Sequence, residues 1–182
     1  MVYLFLANGF EEIEALATVD ILRRSGIEVT TVGVGKKEVI GAHNITVTAD
    51  ILADECDYKN VSAVVLPGGM PGTTNLNACE KLCSLLKECA QKQILLAAIC
   101  AAPSVLGNLG LLKGKNYTCY PGFESEKFGG CHKNDKVVLD ENIFPLITAK
   151  GPGAANEFGF SLVDYLSKSN DISLKLKNEM QF

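Results

Sequence analysis

Along the chain, short runs that are apolar at nearly every position alternate with longer stretches that are apolar at every third or fourth position. Val2–Ala7, Ala63–Leu66, Ile94–Ile99 and Phe144–Thr148 are of the first kind, and Ile27–Val34 is rich in β-branched residues. Such runs read as strands buried on both faces. Between them, Glu12–Ser25 carries Ile13, Leu16, Ala17, Val19, Ile21 and Leu22 at helical spacing and meets Gly26, a good C-terminal stop. Leu76–Gln91, Ala101–Leu109 and Ala154–Ser167 also read as helices, and the tail from Asn170 as a short last one. Lys36–Thr48 reads as a small hairpin, with Tyr117–Phe123 and Lys136–Asp140 as further strands. Strands apolar on both faces, alternating with helices, predict an α/β fold: a mostly parallel sheet with helices on both faces and right-handed crossovers. No repeat, low-complexity segment or linker interrupts the pattern, so residues 1–182 are read as one domain.

That architecture locates the chemistry before any motif is read. Sites in open α/β sheets lie at the carboxyl ends of the strands. The turns expected there are Asn8-Gly9, Pro67-Gly68-Gly69, Cys100-Ala101 and Gly151-Pro152-Gly153.

Composition narrows the classes. Hydrophobic residues make up 47% of the 182 and charged residues 21%, enough to bury a core. The net charge is -4 and the 17 Lys and Arg are scattered, which speaks against a nucleic-acid partner. No apolar stretch approaches the roughly 20 residues of a membrane helix. The opening run is too short for a signal peptide and is followed at once by Glu11, Glu12 and Glu14. Seven cysteines, an odd number, fit free thiols in a reducing cytoplasm. Without a CxxC pair, and with only two histidines, no zinc site is expected from spacing.

Cys100 stands out. It follows a buried strand directly and precedes a helix, within Ala97-Ala98-Ile99-Cys100-Ala101-Ala102-Pro103. Small neighbours suit a sharp strand-to-helix turn that presents a nucleophile, and a helix start favours a thiolate. The other six cysteines read as small core residues, with Cys79 and Cys83 four apart on one helix. Glycines Gly68 and Gly69 would let backbone N–H groups approach a developing oxyanion, with the N–H of Ala101 as second donor. Glu11, Glu12 and Glu14 all suit a helix first turn, so the pattern alone does not choose among them. A carboxyl packed beside Cys100 would be raised by burial and by the thiolate, and could donate a hydrogen bond to sulfur. His132 lies in a loop-like Gly129-Gly130-Cys131-His132, and His43 is assigned no role.

Taken together, Asn8-Gly9-Phe10-Glu11-Glu12-Ile13-Glu14, Val65-Leu66-Pro67-Gly68-Gly69, the cysteine segment and Gly151-Pro152-Gly153 resemble the ThiJ/PfpI superfamily, in order and over nearly the whole chain. More narrowly, they resemble the branch of the human parkinsonism-associated deglycase and its bacterial relatives. The resemblance implies a flavodoxin-like three-layer sandwich and a homodimer. It implies Cys100 as nucleophile, Glu14 as the protonated glutamate beside it, and Gly69 and Ala101 as backbone donors. Gly151 and Pro152 would border the substrate. Relatives often carry a histidine where Cys131 stands here, so His132 is the candidate substitute. Ala101 replaces the histidine of the protease-like branch, and no histidine follows residue 132, so peptidase and amidotransferase readings fall.

The activity implied is cofactor-free conversion of 2-oxoaldehydes such as methylglyoxal, or removal of their early glycation adducts. The rival reading is an oxidative-stress sensor or chaperone acting through oxidation of Cys100 without turnover.

Overall fold

The computed structural model describes residues 1–56 and 58–182. The chain runs β1 (Val2–Leu6), α1 (Glu12–Arg24), β2 (Val29–Gly33), β3 (Glu38–Ile40), β4 (Thr46–Thr48), β5 (Ile51–Leu52), β6 (Ala63–Leu66), α2 (Gly72–Ala78), α3 (Glu80–Gln91), β7 (Leu95–Ile99), α4 (Pro103–Asn108), β8 (Asn116–Tyr117), β9 (Cys131–His132), β10 (Val137–Asp140), β11 (Leu146–Ala149), α5 (Ala155–Ser167) and α6 (Asp171–Glu179). Among the described residues, seven strands form one sheet in the order β10-β11-β7-β6-β1-β2-β5, parallel except for the β10–β11 pair at one edge.

Strand alternation divides the core into two faces. Val2, Leu4 and Leu6 of β1, with Ala63, Val65, Leu95, Ala97 and Ile99, pack under α1, α5 and α6. Tyr3 and Phe5, with Val64, Leu66, Leu96 and Ala98, pack under α2, α3 and α4. Adjacent residues of each central strand thus face opposite helical layers, which is why the strands read as continuous apolar runs. On the first face α1 crosses α5 closely: a Cβ on Gly159 would lie 2.9 Å from Ile21 Cδ1.

Three expectations are corrected. The stretch read as one helix over Leu76–Gln91 begins earlier, at Gly72, and divides at Cys79, whose extended backbone (φ -80°, ψ 97°) ends α2 and starts α3. Cys79 and Cys83 therefore do not share one helix. Tyr117–Phe123 is strand only at β8; its remainder turns at Tyr120-Pro121-Gly122, where Gly122 takes φ +93°. The short strands β5 and β9 were not legible, since two residues carry no period. The first and last strand pairs otherwise fall where the apolar runs place them, and Lys36–Thr48 forms the antiparallel β3–β4 hairpin.

Among the described residues, no helix is long and apolar enough to cross a membrane.

Candidate active site

At the carboxyl end of β7 the backbone of Cys100 takes φ +65°, a left-handed conformation that costs a residue with a Cβ on the order of 1–2 kcal/mol. Neighbours hold it there. Its N–H donates to the carbonyl of Ala149 at the end of β11, 2.9 Å away. Its carbonyl accepts the N–H of Tyr120 at 2.8 Å. Strain fixed on both sides at the tip of a strand–turn–helix unit is the arrangement of a nucleophile elbow. The residue is 9% exposed, with its thiol at the floor of the turn region.

The turns after β1 and β6 interlock beside it. Glu11 N–H donates to the Gly68 carbonyl (3.0 Å), and Gly72 N–H to the Gly9 carbonyl (3.2 Å). A Cβ on Gly69 would lie 2.4 Å from Glu11 N, and one on Gly9 2.4 Å from Pro71 Cδ. Both glycines have positive φ, so two independent reasons require glycine there. This backbone contact brings the first turn of α1 over the elbow.

The three glutamates are thereby separated. Glu12 turns away and holds the hairpin, accepting the N–H of His43 (2.8 Å) and facing its ring Nδ1 (2.9 Å). Glu11 lies 3.7 Å from the same ring. Glu14 points inward, wholly buried, against Cys100. Its Oε2 accepts the Gly68 N–H at 2.8 Å, while Oε1 has no donor among the described residues. A Cβ on Gly68 would sit 2.6 Å from Cys100 Cβ and 2.8 Å from Glu14 Oε2, so Gly68 leaves the space in which acid and thiol meet. Its N–H is engaged by Glu14, and the expectation that Gly68 serves as an oxyanion donor gives way to this role.

Burial is the largest influence on both groups. It pushes Glu14 up to about 7, against hydrogen bonds from Cys100 and Gly68 that pull it down. It pushes the Cys100 thiol up to about 12, reinforced by the Glu14 charge and opposed by the N–H groups of Ala101 and Gly69. The sequence expectation of a thiol lowered by a helix start is thus outweighed; the helix that follows, Pro103–Asn108, has only 6 residues. Each group resists charge while the other is charged, so above neutrality the pair holds one negative charge and one proton. Two donors that favour a thiolate face the sulfur, Ala101 N–H and Gly69 N–H, whereas the hydrogen bond with Glu14 favours the thiol. With the charge on Glu14, the carboxylate is supported by the Cys100 thiol and the Gly68 N–H. The resting pair is therefore a carboxylate beside a thiol, with the Ala101 and Gly69 N–H groups placed for charge that moves onto sulfur.

Gly151 and Pro152 follow β11, next to the elbow. With Tyr120, Lys136 and Lys150 they line a cleft of about 230 Å³. Tyr120 is the residue that sequence reasoning missed. Its backbone supports the elbow, and its ring would lie 3.1 Å from a Cβ on Gly151. The signal was present in Pro121-Gly122, a turn dipeptide inside the segment read as a strand. His132 is not brought to the pair. It lies in β9 against the Tyr117 ring (centroids 5.6 Å apart), with Cys119 and Glu124 as its polar neighbours.

The DJ-1/PfpI family model matches residues 1–165. Protein DJ-1 homologs B and A of Arabidopsis thaliana are 37% and 38% identical over 161 residues, 87% of this chain but 36% and 40% of theirs. The chain thus spans about two fifths or less of the length of these plant relatives. The glutathione-independent glyoxalase DJR-1.2 of Caenorhabditis elegans is 32% identical over 169 residues, covering 92% of this chain and 88% of that protein. Among solved structures, a DJ-1 superfamily protein from Salmonella typhimurium, crystallised as a cysteine-to-alanine mutant, superposes with a TM-score of 0.94 at 33% identity, covering 100% of this chain and 97% of the other.

Proposed function

The chain belongs to the DJ-1/PfpI family, and from that premise we propose that it is a cofactor-free, cysteine-dependent glyoxalase or deglycase acting on 2-oxoaldehydes such as methylglyoxal or on their early adducts. The observation that carries this reading is the buried pair of Glu14 and Cys100, facing each other across Gly68 at a strained elbow. The name of the nematode relative supports the same reaction class.

The pair divides the chemistry as follows. Cys100 passes its thiol proton to the Glu14 carboxylate as its sulfur attacks the aldehyde carbon of a 2-oxoaldehyde and forms a hemithioacetal. The oxygen formed on that carbon takes the place of sulfur as acceptor of the Gly69 and Ala101 N–H groups and receives the Glu14 proton. Glu14, now a carboxylate, removes the hydrogen of that carbon and returns it to the neighbouring carbonyl carbon, while the hydroxyl proton passes to the oxygen of that neighbour, leaving a thioester of the 2-hydroxy acid. Water cleaves the thioester, frees the acid and restores the thiol beside the Glu14 carboxylate. A carboxyl near 7 suits both steps, since it is protonated often enough to donate and ionised often enough to abstract. We assign the remainder of the substrate to the cleft at Gly151, Pro152 and Tyr120, joined to the elbow through the hydrogen bond between Tyr120 and Cys100.

In this reading the protein is a cytoplasmic homodimer acting as one domain. Ile13 and Leu16 of α1, with Ile40 and Ile45 of the hairpin, are 37–56% exposed. Glu12 docks that hairpin onto α1, and we assign these four exposed side chains to the surface that meets a second copy.

The test is lactate production from methylglyoxal without glutathione or added metal. The wild type is expected to turn over, and Cys100→Ala and Glu14→Gln to lose at least about 100-fold. Full activity in either variant would overturn the proposal. No turnover by the wild type, with ready peroxide oxidation of Cys100, would support the stress-sensor reading in its place.

A further inference from the structure

One group of side chains that could bind or react stands apart from the elbow chemistry. Cys119, Glu124 and His132 present a sulfur, a carboxylate oxygen and a ring nitrogen within 4.8 Å of one another. The local fold aims them. Gly122 N–H donates to Glu124 Oε2 at 2.7 Å and turns the carboxylate back toward Cys119, whose Sγ lies 4.0 Å from the same oxygen. The turn through Glu126–Phe128 ends at Gly129 (φ +67°) and returns the chain as β9, parallel to β8. This sets His132 beside Tyr117, two residues before Cys119. Cys119 is wholly buried. His132 Nε2 is shielded from solvent and has no hydrogen-bond partner among the described residues. A buried ring nitrogen left unbonded is unfavourable in itself and calls for a partner.

We propose that Cys119, Glu124 and His132 bind a single zinc ion. Tetrahedral zinc takes sulfur at about 2.3 Å and nitrogen and oxygen at about 2.0–2.2 Å, which places ligand atoms roughly 3.3–3.7 Å apart. The three atoms need close by only about an ångström to reach that geometry. A thiolate–imidazole–carboxylate set is too soft for magnesium or calcium and suits zinc, with water in the fourth position. His132 supplies the imidazole ligand through a ring nitrogen. Binding replaces the Cys119 thiol proton, which passes to solvent, so affinity rises with pH. A second nucleophilic thiol is the weaker reading, because no substrate carbon reaches a cysteine with no exposed surface, whereas an ion can enter past the exposed Glu124. The other Glu-His group, Glu11, Glu12 and His43, carries no such argument: Glu12 is already engaged by the hairpin and His43 is exposed.

The site has a structural consequence. Cys119 adjoins Tyr120, whose N–H supports the Cys100 carbonyl. An ion there would tie the 119–124 turn to β9 and hold Tyr120 against the elbow. The proposal does not depend on the glyoxalase reading, and its readouts are binding and spectra.

Zinc alone is titrated into the wild type by calorimetry, and cobalt alone by absorption. One ion per chain is expected, with a near-ultraviolet thiolate-to-cobalt band and a raised melting temperature. His132→Asn and Glu124→Gln, changes outside the sealed core, are expected to weaken zinc by more than the roughly 10–100-fold typical of a lost outer-shell partner. Cys119→Ser is expected to lose the cobalt band. Cys100→Ala is expected to keep both. Wild-type affinity in His132→Asn and Glu124→Gln, loss of binding in Cys100→Ala, or no stoichiometric binding by the wild type would each overturn the site.

Discussion

Burial acts on Glu14 from every side, and at this residue pH enters both stability and chemistry. Its carboxyl rises from an ordinary 4.5 to about 7 because it is desolvated. A group raised in the folded state contributes stability that is complete below 4.5 and lost as pH climbs through 7. The loss is on the order of 3 kcal/mol. Urea unfolding of the wild type and of Glu14→Gln between about pH 4.5 and 7.5 is expected to show it. The wild type should fall by that amount relative to the variant, and parallel curves would contradict the burial argument. Turnover should rise through the same window, as the pair loses its first proton. At this scale the residue pattern offered three glutamates in a helix first turn without separating them, and only the family resemblance pointed to Glu14. The separation comes from helical periodicity combined with docking: Glu12 faces the hairpin and Glu14 the elbow.

At the scale of elements, the site depends on how closely α1 can approach its neighbours. The α1–α5 crossing is set by Gly159, where a Cβ would meet Ile21 Cδ1 at 2.9 Å, Cβ at 3.2 Å and Cγ2 at 3.3 Å. Gly159→Ala gains about 1 kcal/mol of helix propensity and incurs overpacking of about 1–3 kcal/mol, for a net loss near 1 kcal/mol. The cost should shrink in an Ile21→Val background, which removes the nearest methyl; additive losses in chemical denaturation would refute the steric account. A second junction ties the segment carrying Tyr120 to the sheet. Lys115, buried before β8, is hydrogen-bonded to Asp140 and to the carbonyls of Asn142 and Phe144. Asp140 also accepts the Asn116 N–H at 2.8 Å. Nothing in the local pattern announced this, because a lysine in a loop ordinarily reads as solvent-exposed.

At the scale of the whole molecule, the apolar area of Ile13, Leu16, Ile40 and Ile45 carries the prediction of assembly. The wild type is expected to scatter light as a dimer, and Ile45→Glu as a folded monomer. A monomeric wild type would remove the proposed interface. At this scale too the division between sequence and structure is plain. Apolar runs and helical periods were enough to determine the layered α/β fold and the sheet edge at which the turns gather, because burial on two faces leaves its mark at every position of a central strand. The same pattern marked Cys100, since only a strand-to-helix turn places a cysteine there. Tertiary structure alone decided which glutamate meets the thiol, that Gly68 makes room for that meeting rather than donating to an oxyanion, and that His132 sits with Cys119 and Glu124. It also raised both groups of the pair by burial. These are contacts between residues far apart along the chain, 54 positions in the case of Glu14 and Gly68, or between strands too brief to show a period. Their energies come from desolvation and close approach, which exist only once the turns have packed against one another.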